Sequence, residues 1–100
     1  MKNVVPLEYI AKKIDSIKTL KNNIIEVGYS KYPHKYYVKF KNGSVVKFGH
    51  QDYEDTLLRK YKNVNKQLIE GRRRLYRQRH FNQKNNSIYT PGYLSYYILW

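Results

Sequence analysis

The sequence YYVKFKNGSVVKF, residues 36–48, decides the fold of this chain because it predicts a β-hairpin. Two runs rich in β-branched and aromatic residues, 36–40 and 44–48, flank the dipeptide Asn42-Gly43. Asn-Gly between two such runs is a strong short-range signal of a hairpin, since both residues tolerate the left-handed backbone that tight turns need. The hairpin in turn predicts a small antiparallel sheet at the centre of the fold.

The faces of the two strands fix the expected register of the hairpin. A two-residue turn would mix apolar and charged side chains on each face, because strand side chains alternate. A three-residue loop with Gly43 in the left-handed conformation instead pairs Val38 with Val46 and Tyr36 with Phe48. We predict this second register, because it gives one apolar face that also includes Phe40. The opposite face is then basic and aromatic, and consists of Tyr37, Lys39, Lys41, Val45 and Lys47.

Upstream of the hairpin, the sequence predicts one helix and one strand. Residues 6–21 place Ile and Leu side chains at spacings of three and four, which favours a helix, and Pro6 suits its first position. The apolar stripe of this helix favours packing on its own domain, with docking to a partner or to a membrane surface as alternatives. Ile24 to Tyr29 is rich in β-branched residues and predicts a strand.

Downstream of the hairpin, residues 52–79 follow a helical pattern that is strongly basic in its second half. Acidic residues lie at its start, where negative charge suits the helix dipole. Gly71 lies within the pattern, so we expect either a break between two helices or a close backbone contact at this position. The predicted apolar face of the helix consists of Leu57, Tyr61, Val64, Leu68 and Leu75.

The last segment of the chain predicts an apolar helix. Residues 80–89 are polar and loop-like, and Thr90-Pro91 then supplies an N-cap and a first helical residue. From Tyr93 to Trp100 almost every side chain is apolar. We expect residues 91–100 to form a short helix that closes the core of this chain or fills a groove on a neighbouring one.

The composition excludes several classes of protein. The chain has 100 residues, no cysteine and a formal net charge of +13, from 20 Lys and Arg against 7 Asp and Glu. It therefore forms neither a disulfide nor a thiolate zinc site, and the lack of cysteine fits an intracellular or virion protein. No apolar stretch is long enough to span a membrane. The charge favours a polyanionic partner, with nucleic acid ahead of an acidic protein or anionic lipid.

The densest basic segment runs from Arg72 to Arg79 and holds five arginines in eight residues. Residues 59–79 as a whole hold nine basic residues and one acidic residue, Glu70. Arginine forks match phosphate oxygens, so this stretch predicts contact with a phosphate backbone. The alternative is a solvated face, or a face that pairs with acidic groups of another subunit. No base-reading motif is present, and we expect binding without sequence preference.

Signals of catalysis are weak. His34, His50 and His80 lie around a hairpin and a helix, an arrangement that occurs in metal-dependent nucleases. They lack the close spacing of metal ligands, and no carboxylate pair accompanies them. The chain also lacks a Gly-rich phosphate loop and a nucleophile motif. We therefore expect a protein that is not an enzyme and has no cofactor or metal, with a metal-dependent nuclease as a remote alternative.

Motifs in residues 24–100 resemble those of a family of small uncharacterised proteins encoded by large nucleocytoplasmic DNA viruses (giant viruses). That family combines a strand-rich start ending in Phe-Gly, an Arg-Arg-x-x-Tyr-x-x-Arg-His segment and an aromatic tail ending in Leu-Trp. Here the corresponding residues are Phe48-Gly49, Tyr53, Asp55, Arg72-Arg73, Tyr76, Arg79-His80 and the segment from Thr90 to Trp100. Thr90 replaces the usual serine and Gly92 the usual alanine.

The resemblance implies a viral setting but no established activity. It makes a minor capsid or core protein plausible, located in the virion or in the cytoplasm or nucleus of the infected cell. It also suggests that Arg79-His80 caps the aromatic tail instead of touching a ligand. The N-terminal helix, within residues 1–22, lies outside the resemblance and is appended to it.

We predict one α+β domain over residues 1–100: an N-terminal helix, about three antiparallel strands, a basic helix and a short aromatic C-terminal helix. The first expected function is binding of DNA or RNA through the phosphate backbone, and the alternative is a structural cement of a virus particle that contacts other virion proteins. The predicted nucleic-acid contacts are Lys39, Lys41, Lys47, Arg59, Lys62, Lys66, Arg72, Arg73, Arg74 and Arg77. The predicted interface or packing residues are Tyr93, Tyr96, Tyr97 and Trp100.

Overall fold

The hairpin forms in the register that the sequence predicts. In the computed structural model, which describes residues 1–100, strand β2 (Tyr36–Phe40) pairs antiparallel with β3 (Val45–Phe48). Val38 lies opposite Val46, as expected. Gly43 has a φ of +89° and donates its N–H to the carbonyl oxygen of Phe40 at 2.9 Å. The three-residue loop and its left-handed glycine are therefore confirmed.

The sheet has three strands in the order β1-β2-β3, with β1 spanning Ile24–Tyr29 as predicted. The register of β1 against β2 shifts between Ile24 and Glu26, which marks a bulge at the start of β1. The inner face of β2 is fully buried, whereas Lys39 and Lys47 on the outer face are exposed. Together with the helices, this sheet gives the α+β fold that the sequence predicts.

The prediction of one helix over residues 6–21 is wrong, because the segment forms two helices, α1 (Leu7–Asp15) and α2 (Lys18–Lys21). Ile17 between them has an extended backbone, with φ −109° and ψ 100°. The Ser16 hydroxyl donates to the carbonyl oxygen of Lys13, a local bond that competes with helix continuation. Pro6 is the cap of α1 and not its first helical residue. Three apolar side chains of the two helices are buried in the core: Ile10, Ile14 and Leu20.

The helical pattern over residues 52–79 forms two helices, α3 (Thr56–Tyr61) and α4 (Lys66–Arg79), and the break lies before Lys66 and not at Gly71. Asn63 between them takes a left-handed conformation with a φ of +60°, which ends α3. Asn65 then caps α4, since its side-chain oxygen accepts a hydrogen bond from the N–H of Gln67 at 2.9 Å. Two asparagines with strong turn and capping preferences therefore break the helical pattern.

Gly71 neither breaks the helix nor makes a close contact, so both expectations for this residue are wrong. It lies within α4, and a Cβ added at this position would meet nothing within 4 Å. The predicted apolar face of α4 is wrong as well, because the side chains of Leu68 and Leu75 are 64% and 49% exposed. Ile69 is the buried residue of this helix, at 5% exposed. The side of α4 that faces the protein interior is the side that contacts the C-terminal tail, and Leu68 and Leu75 do not lie on it.

The C-terminal segment closes the core of its own chain. Thr90 caps α5 (Pro91–Leu94) by accepting the N–H of Tyr93, and Pro91 is the first helical residue, as predicted. A turn of π-helix, Ser95–Leu99, continues α5. A short 3₁₀-helix, Phe81–Asn85, occupies part of the segment that was expected to be a loop. Three apolar side chains of the tail join the hydrophobic core: Leu94, Ile98 and Leu99.

Candidate nucleic-acid interface

Most cations of this chain have no acidic partner. Of the 20 Lys and Arg side chains, only three lie within 4 Å of a carboxylate: Lys35, Lys62 and Arg73. The positive charge is therefore not neutralised within the fold, and it is available to a polyanion.

Helix α4 carries the densest set of these free cations. Lys66, Arg72, Arg74 and Arg79 are all exposed and make no ion pair. Arg72 and Arg79 are seven residues apart and therefore lie on one side of the helix, about 10 Å apart along its axis, whereas Arg74 lies on another side. The two guanidinium forks of Arg72 and Arg79 form a pair that suits the oxygens of a phosphate backbone.

The inward side of α4 holds the C-terminal tail. Arg73 donates from Nε to the carbonyl oxygen of Trp100 at 2.9 Å, and Arg77 donates to the same oxygen at 3.4 Å. The guanidinium of Arg77 also lies 4.5 Å from the ring centroid of Tyr96. Two of the arginines that the sequence assigned to phosphate binding therefore make structural contacts within the chain.

An aromatic stack completes the attachment of α4 to the tail. The rings of Tyr76 and Trp100 are nearly parallel, with centroids 4.3 Å apart and an interplanar angle of 7°. His80 stacks on Tyr76 at 4.2 Å. His80 therefore contacts the tail through Tyr76, whereas Arg79 is exposed and makes no hydrogen bond to it.

The aromatic residues of the tail are buried within this chain to different degrees. Tyr96 is buried, at 6% exposed, and Trp100 is half-buried in the stack with Tyr76. Tyr93 and Tyr97 are half-buried and pack on each other with ring centroids 4.5 Å apart. The tail therefore packs in cis, on its own chain.

A cleft of about 840 Å³ lies between α4 and the segment that joins β3 to α3, residues 49–55. We call it the arginine cleft, because Arg59, Arg72 and Arg79 line it. His50 and His80 also line the cleft, whereas His34 does not. The cleft further contains Lys35, the three acidic residues Asp52, Glu54 and Asp55, and the side chains of Tyr53, Leu75 and Tyr76.

The acidic residues of the arginine cleft all have partners. Asp55 accepts a hydrogen bond from Nζ of Lys35 at 2.7 Å, and both side chains are buried. Burial raises the pKa of Asp55, and the positive charge of Lys35 opposes that rise. Asp52 accepts a hydrogen bond from the hydroxyl of Tyr32 at 2.7 Å, and Glu54 forms an ion pair with Lys62 at 3.7 Å.

The arginines of the cleft have no such partners. The side chain of Arg59 makes no hydrogen bond and no ion pair within 4 Å, and its Nη1 is buried without an acceptor. Arg72 and Arg79 are exposed and also unpaired. Because buried polar groups normally have a hydrogen-bond partner, Nη1 of Arg59 is a donor available to a water molecule or to a ligand.

A second group of cations crowds the groove between α1 and the tail, which Lys12, Lys13, Lys60 and Arg73 line. Burial lowers the pKa of Lys13, and the positive charges of Lys60, Arg73 and Arg77 lower it further. This mutual repulsion favours an anion at the groove.

The three hairpin lysines of the predicted interface lie elsewhere. Lys39, Lys41 and Lys47 are exposed on the outer side of the sheet, where Tyr37 donates its hydroxyl to Glu26 at 2.6 Å. The helices cover the opposite, inner face of the sheet. The structure therefore divides the predicted contacts into two surfaces, the outer sheet face and α4 with its cleft.

Sequence reasoning missed two members of the cleft. Tyr53 is 66% exposed, and Arg79 lines the cleft although it was expected to cap the tail. The acidic run around Tyr53 resembled an ordinary helix start, and the family resemblance named this tyrosine without giving it a role. The spacing of Arg72 and Arg79 at seven residues does place both on one side of a helix, and this signal was present in the sequence.

No group of three or more His, Cys, Asp or Glu residues is arranged to hold a metal ion. None of the helices combines the length and the apolar character that crossing a membrane requires. Comparisons with protein-family models, with curated proteins and with solved structures give no match to this chain.

Proposed function

We propose that this protein binds nucleic acid through the phosphate backbone, without sequence specificity and without catalysis. The observation that carries the proposal is the set of arginines that lack acidic partners on α4 and in the arginine cleft. Arginine and lysine side chains that neutralise phosphates release counterions from the nucleic acid, which drives binding to any sequence.

The acidic residues of the cleft do not argue against a phosphate ligand. Lys35, Tyr32 and Lys62 engage the three carboxylates, whereas Arg59 and Arg72 make no ion pair within 4 Å. These guanidinium groups lack a charged hydrogen-bond acceptor within the chain, and phosphate oxygens can supply one. Among the predicted contacts, the exposed residues of α4 are therefore the strongest candidates, with the hairpin lysines as a second surface.

The test is a binding measurement with random-sequence DNA, as duplex and as single strand, while the salt concentration is raised. We expect the affinity to fall steeply, with a slope of log K against log salt of about −0.9 per phosphate contact on duplex DNA. Absence of binding to both forms at low salt would contradict the proposal.

Two variants of equal charge locate the contact surface. The triple variant Arg72→Ala, Arg74→Ala, Arg79→Ala removes three exposed cations from α4, and the control Lys39→Ala, Lys41→Ala, Lys47→Ala removes three from the outer sheet face. We expect the first variant to reduce the salt slope by about 2 to 3, at roughly 0.9 per lost contact, and the second to change it less. Equal losses would show that net charge alone attracts the nucleic acid.

The alternative is a structural component of a virus particle, in keeping with the resemblance to giant-virus proteins. Leu68 and Leu75 favour it, because they form an exposed apolar row on α4 that lies outside the hydrophobic core. Mass spectrometry of purified particles of a virus that encodes the chain tests this alternative. Absence of the protein from such particles would end it.

A further inference from the structure

A row of three rings leads to the wall of the arginine cleft opposite α4, which His50 and Tyr53 line. Tyr32, His50 and Tyr53 follow one another with centroid separations of 5.9 and 5.0 Å. The side chains of Tyr32 and Tyr53 are 62% and 66% exposed. Large aromatic side chains at this level of exposure contribute little to a core, and they are frequent at binding surfaces.

Tyr53 is the ring of this row that both lines the cleft and is most exposed. Its ring packs at a tilt against the imidazole of His50, with centroids 5.0 Å apart, and most of the side chain remains exposed. Tyr32 is held in place by its hydrogen bond to Asp52 at 2.7 Å. The row is therefore a supported platform and not a set of independent side chains.

The facing wall of the cleft consists of α4. Arg72, Leu75 and Arg79 lie along one side of this helix and line the cleft, and Arg59 of α3 lies with them. Leu75 is half-exposed and offers an apolar surface between the two arginines. One wall therefore presents an aromatic ring, and the other presents guanidinium groups on either side of an aliphatic side chain.

This combination suits an unpaired nucleotide. A base has a π-face that stacks on an aromatic ring whatever its identity, and the phosphates on either side bind cations. The cleft volume of about 840 Å³ falls in the range of ligand pockets. In a duplex the bases are stacked and paired, so they do not reach Tyr53 unless a nucleotide leaves the helix.

We propose that the arginine cleft binds single-stranded nucleic acid, with a base on Tyr53 and phosphates on Arg59, Arg72 and Arg79. This inference rests on the proposed function and adds the substrate class: an unpaired strand is bound more tightly than a duplex of the same length. The exposed arginines of α4 contribute to both forms, whereas the ring of Tyr53 contributes to the single strand alone.

The test compares fluorescence anisotropy of a labelled random-sequence single strand with that of the corresponding duplex at one salt concentration. The wild-type protein is expected to bind the single strand more tightly. Tyr53→Ala should weaken single-strand binding by about 5- to 150-fold, which corresponds to about 1 to 3 kcal/mol for loss of one base–aromatic stack, and leave duplex binding within about twofold. Tyr53→Phe keeps the ring and should keep the affinity.

Tyr61→Ala is the matched control, because it removes a half-exposed tyrosine of α3 that does not line the cleft. It should bind both forms like the wild type. Circular dichroism of each variant checks that the exposed substitution leaves the fold intact.

Four results would overturn the inference. Equal wild-type affinity for single strand and duplex, or equal weakening of both forms in Tyr53→Ala, would remove the single-strand assignment and leave the proposed function standing. Loss of affinity in Tyr53→Phe as large as in Tyr53→Ala would exclude stacking as the cause. Binding to neither form would overturn the proposed function and this inference together.

Discussion

The outer sheet face and α4 are both basic, but the fold holds them in different ways. The hairpin lysines lie on or next to strands whose other face packs on the core, and on β2 the side chains of Tyr36, Val38 and Phe40 are all 0% exposed. Ile69 is the only buried residue of α4. The sheet face is therefore fixed by apolar burial, whereas α4 is fixed largely by arginine hydrogen bonds and aromatic stacking on the tail.

This difference shows that the number of arginines in a segment does not give the number that are free to contact a ligand. On the hairpin, alternation sends every lysine outward, so each one is free. On α4, Arg73 and Arg77 point inward to the tail while Arg72, Arg74 and Arg79 remain exposed. Four experiments distinguish a basic surface that is supported by apolar burial from one that is supported by hydrogen bonds and aromatic stacking.

The largest effect is expected from Phe40→Ala, on the buried face of the hairpin. Phe40 is fully buried, and its ring packs edge-on against Tyr89 with centroids 4.6 Å apart. Its loss should lower the free energy of unfolding by about 3 to 5 kcal/mol, measured by urea denaturation. Val45→Ala on the outer face, where the side chain is 55% exposed, should change it by about 0.5 kcal/mol or less. Similar losses in the two variants would contradict the role of apolar burial.

A smaller, local effect is expected from Trp100→Ala. The substitution removes the stack on Tyr76 but keeps the carbonyl oxygen that accepts from Arg73 and Arg77. We expect a loss of about 2 to 3 kcal/mol, with faster amide hydrogen exchange in α4 than in the sheet. Leu68→Ala on the exposed side of α4 is the control and should leave exchange unchanged. Uniform acceleration across the whole chain would show that α4 is not a separate unit.

Alkaline pH should weaken the sheet through Tyr36. Burial raises the pKa of Tyr36, while the N–H of Val5, which donates to its hydroxyl at 2.9 Å, opposes the rise. The folded state therefore keeps the neutral phenol, whereas the unfolded chain ionises near pH 10. This contribution to stability is complete below about pH 10 and falls by up to about 1.4 kcal/mol per pH unit above it.

Tyr36→Phe tests this dependence. It loses the bond to Val5 at every pH, so it should be less stable than the wild type below pH 10. Above pH 10 the free energies of unfolding of the two proteins should converge, because the variant lacks the ionisable group. Parallel curves across pH 8 to 12 would contradict the assignment to Tyr36.

The smallest effects are expected from two glycines that both face open space. An added Cβ meets nothing within 4 Å at Gly71 or at Gly43, but Gly43 alone has a positive φ, +89°. Gly71→Ala should therefore stabilise the protein by about 0.5 to 1 kcal/mol, because alanine favours the helix. Gly43→Ala should destabilise it by about 1 to 2 kcal/mol through backbone strain. Thermal unfolding midpoints that shift in the same direction would contradict this account.

Much of the fold could be predicted because it depends on local patterns. The hairpin register, β1 and the cap of α5 all follow from alternation or from neighbouring residues. The helix breaks at Ile17 and Asn63 were missed, because an apolar stripe at helical spacing continues across each of them. Of the candidate site, the basic segments were predicted, but the cleft was not, since its walls come from parts of the chain far apart in sequence.

The sequence by itself determined which residues are basic, where the hairpin turns and which face of it is apolar, because charge and side-chain alternation are properties of neighbouring residues. Only the tertiary structure decided which arginines remain free. The partner of Arg73 is the carbonyl oxygen of Trp100, 27 residues away, and such a contact leaves no trace in the periodicity of α4. Packing against the tail fixes which side of α4 faces inward, and Arg72 and Arg79 then line the same cleft as Tyr53.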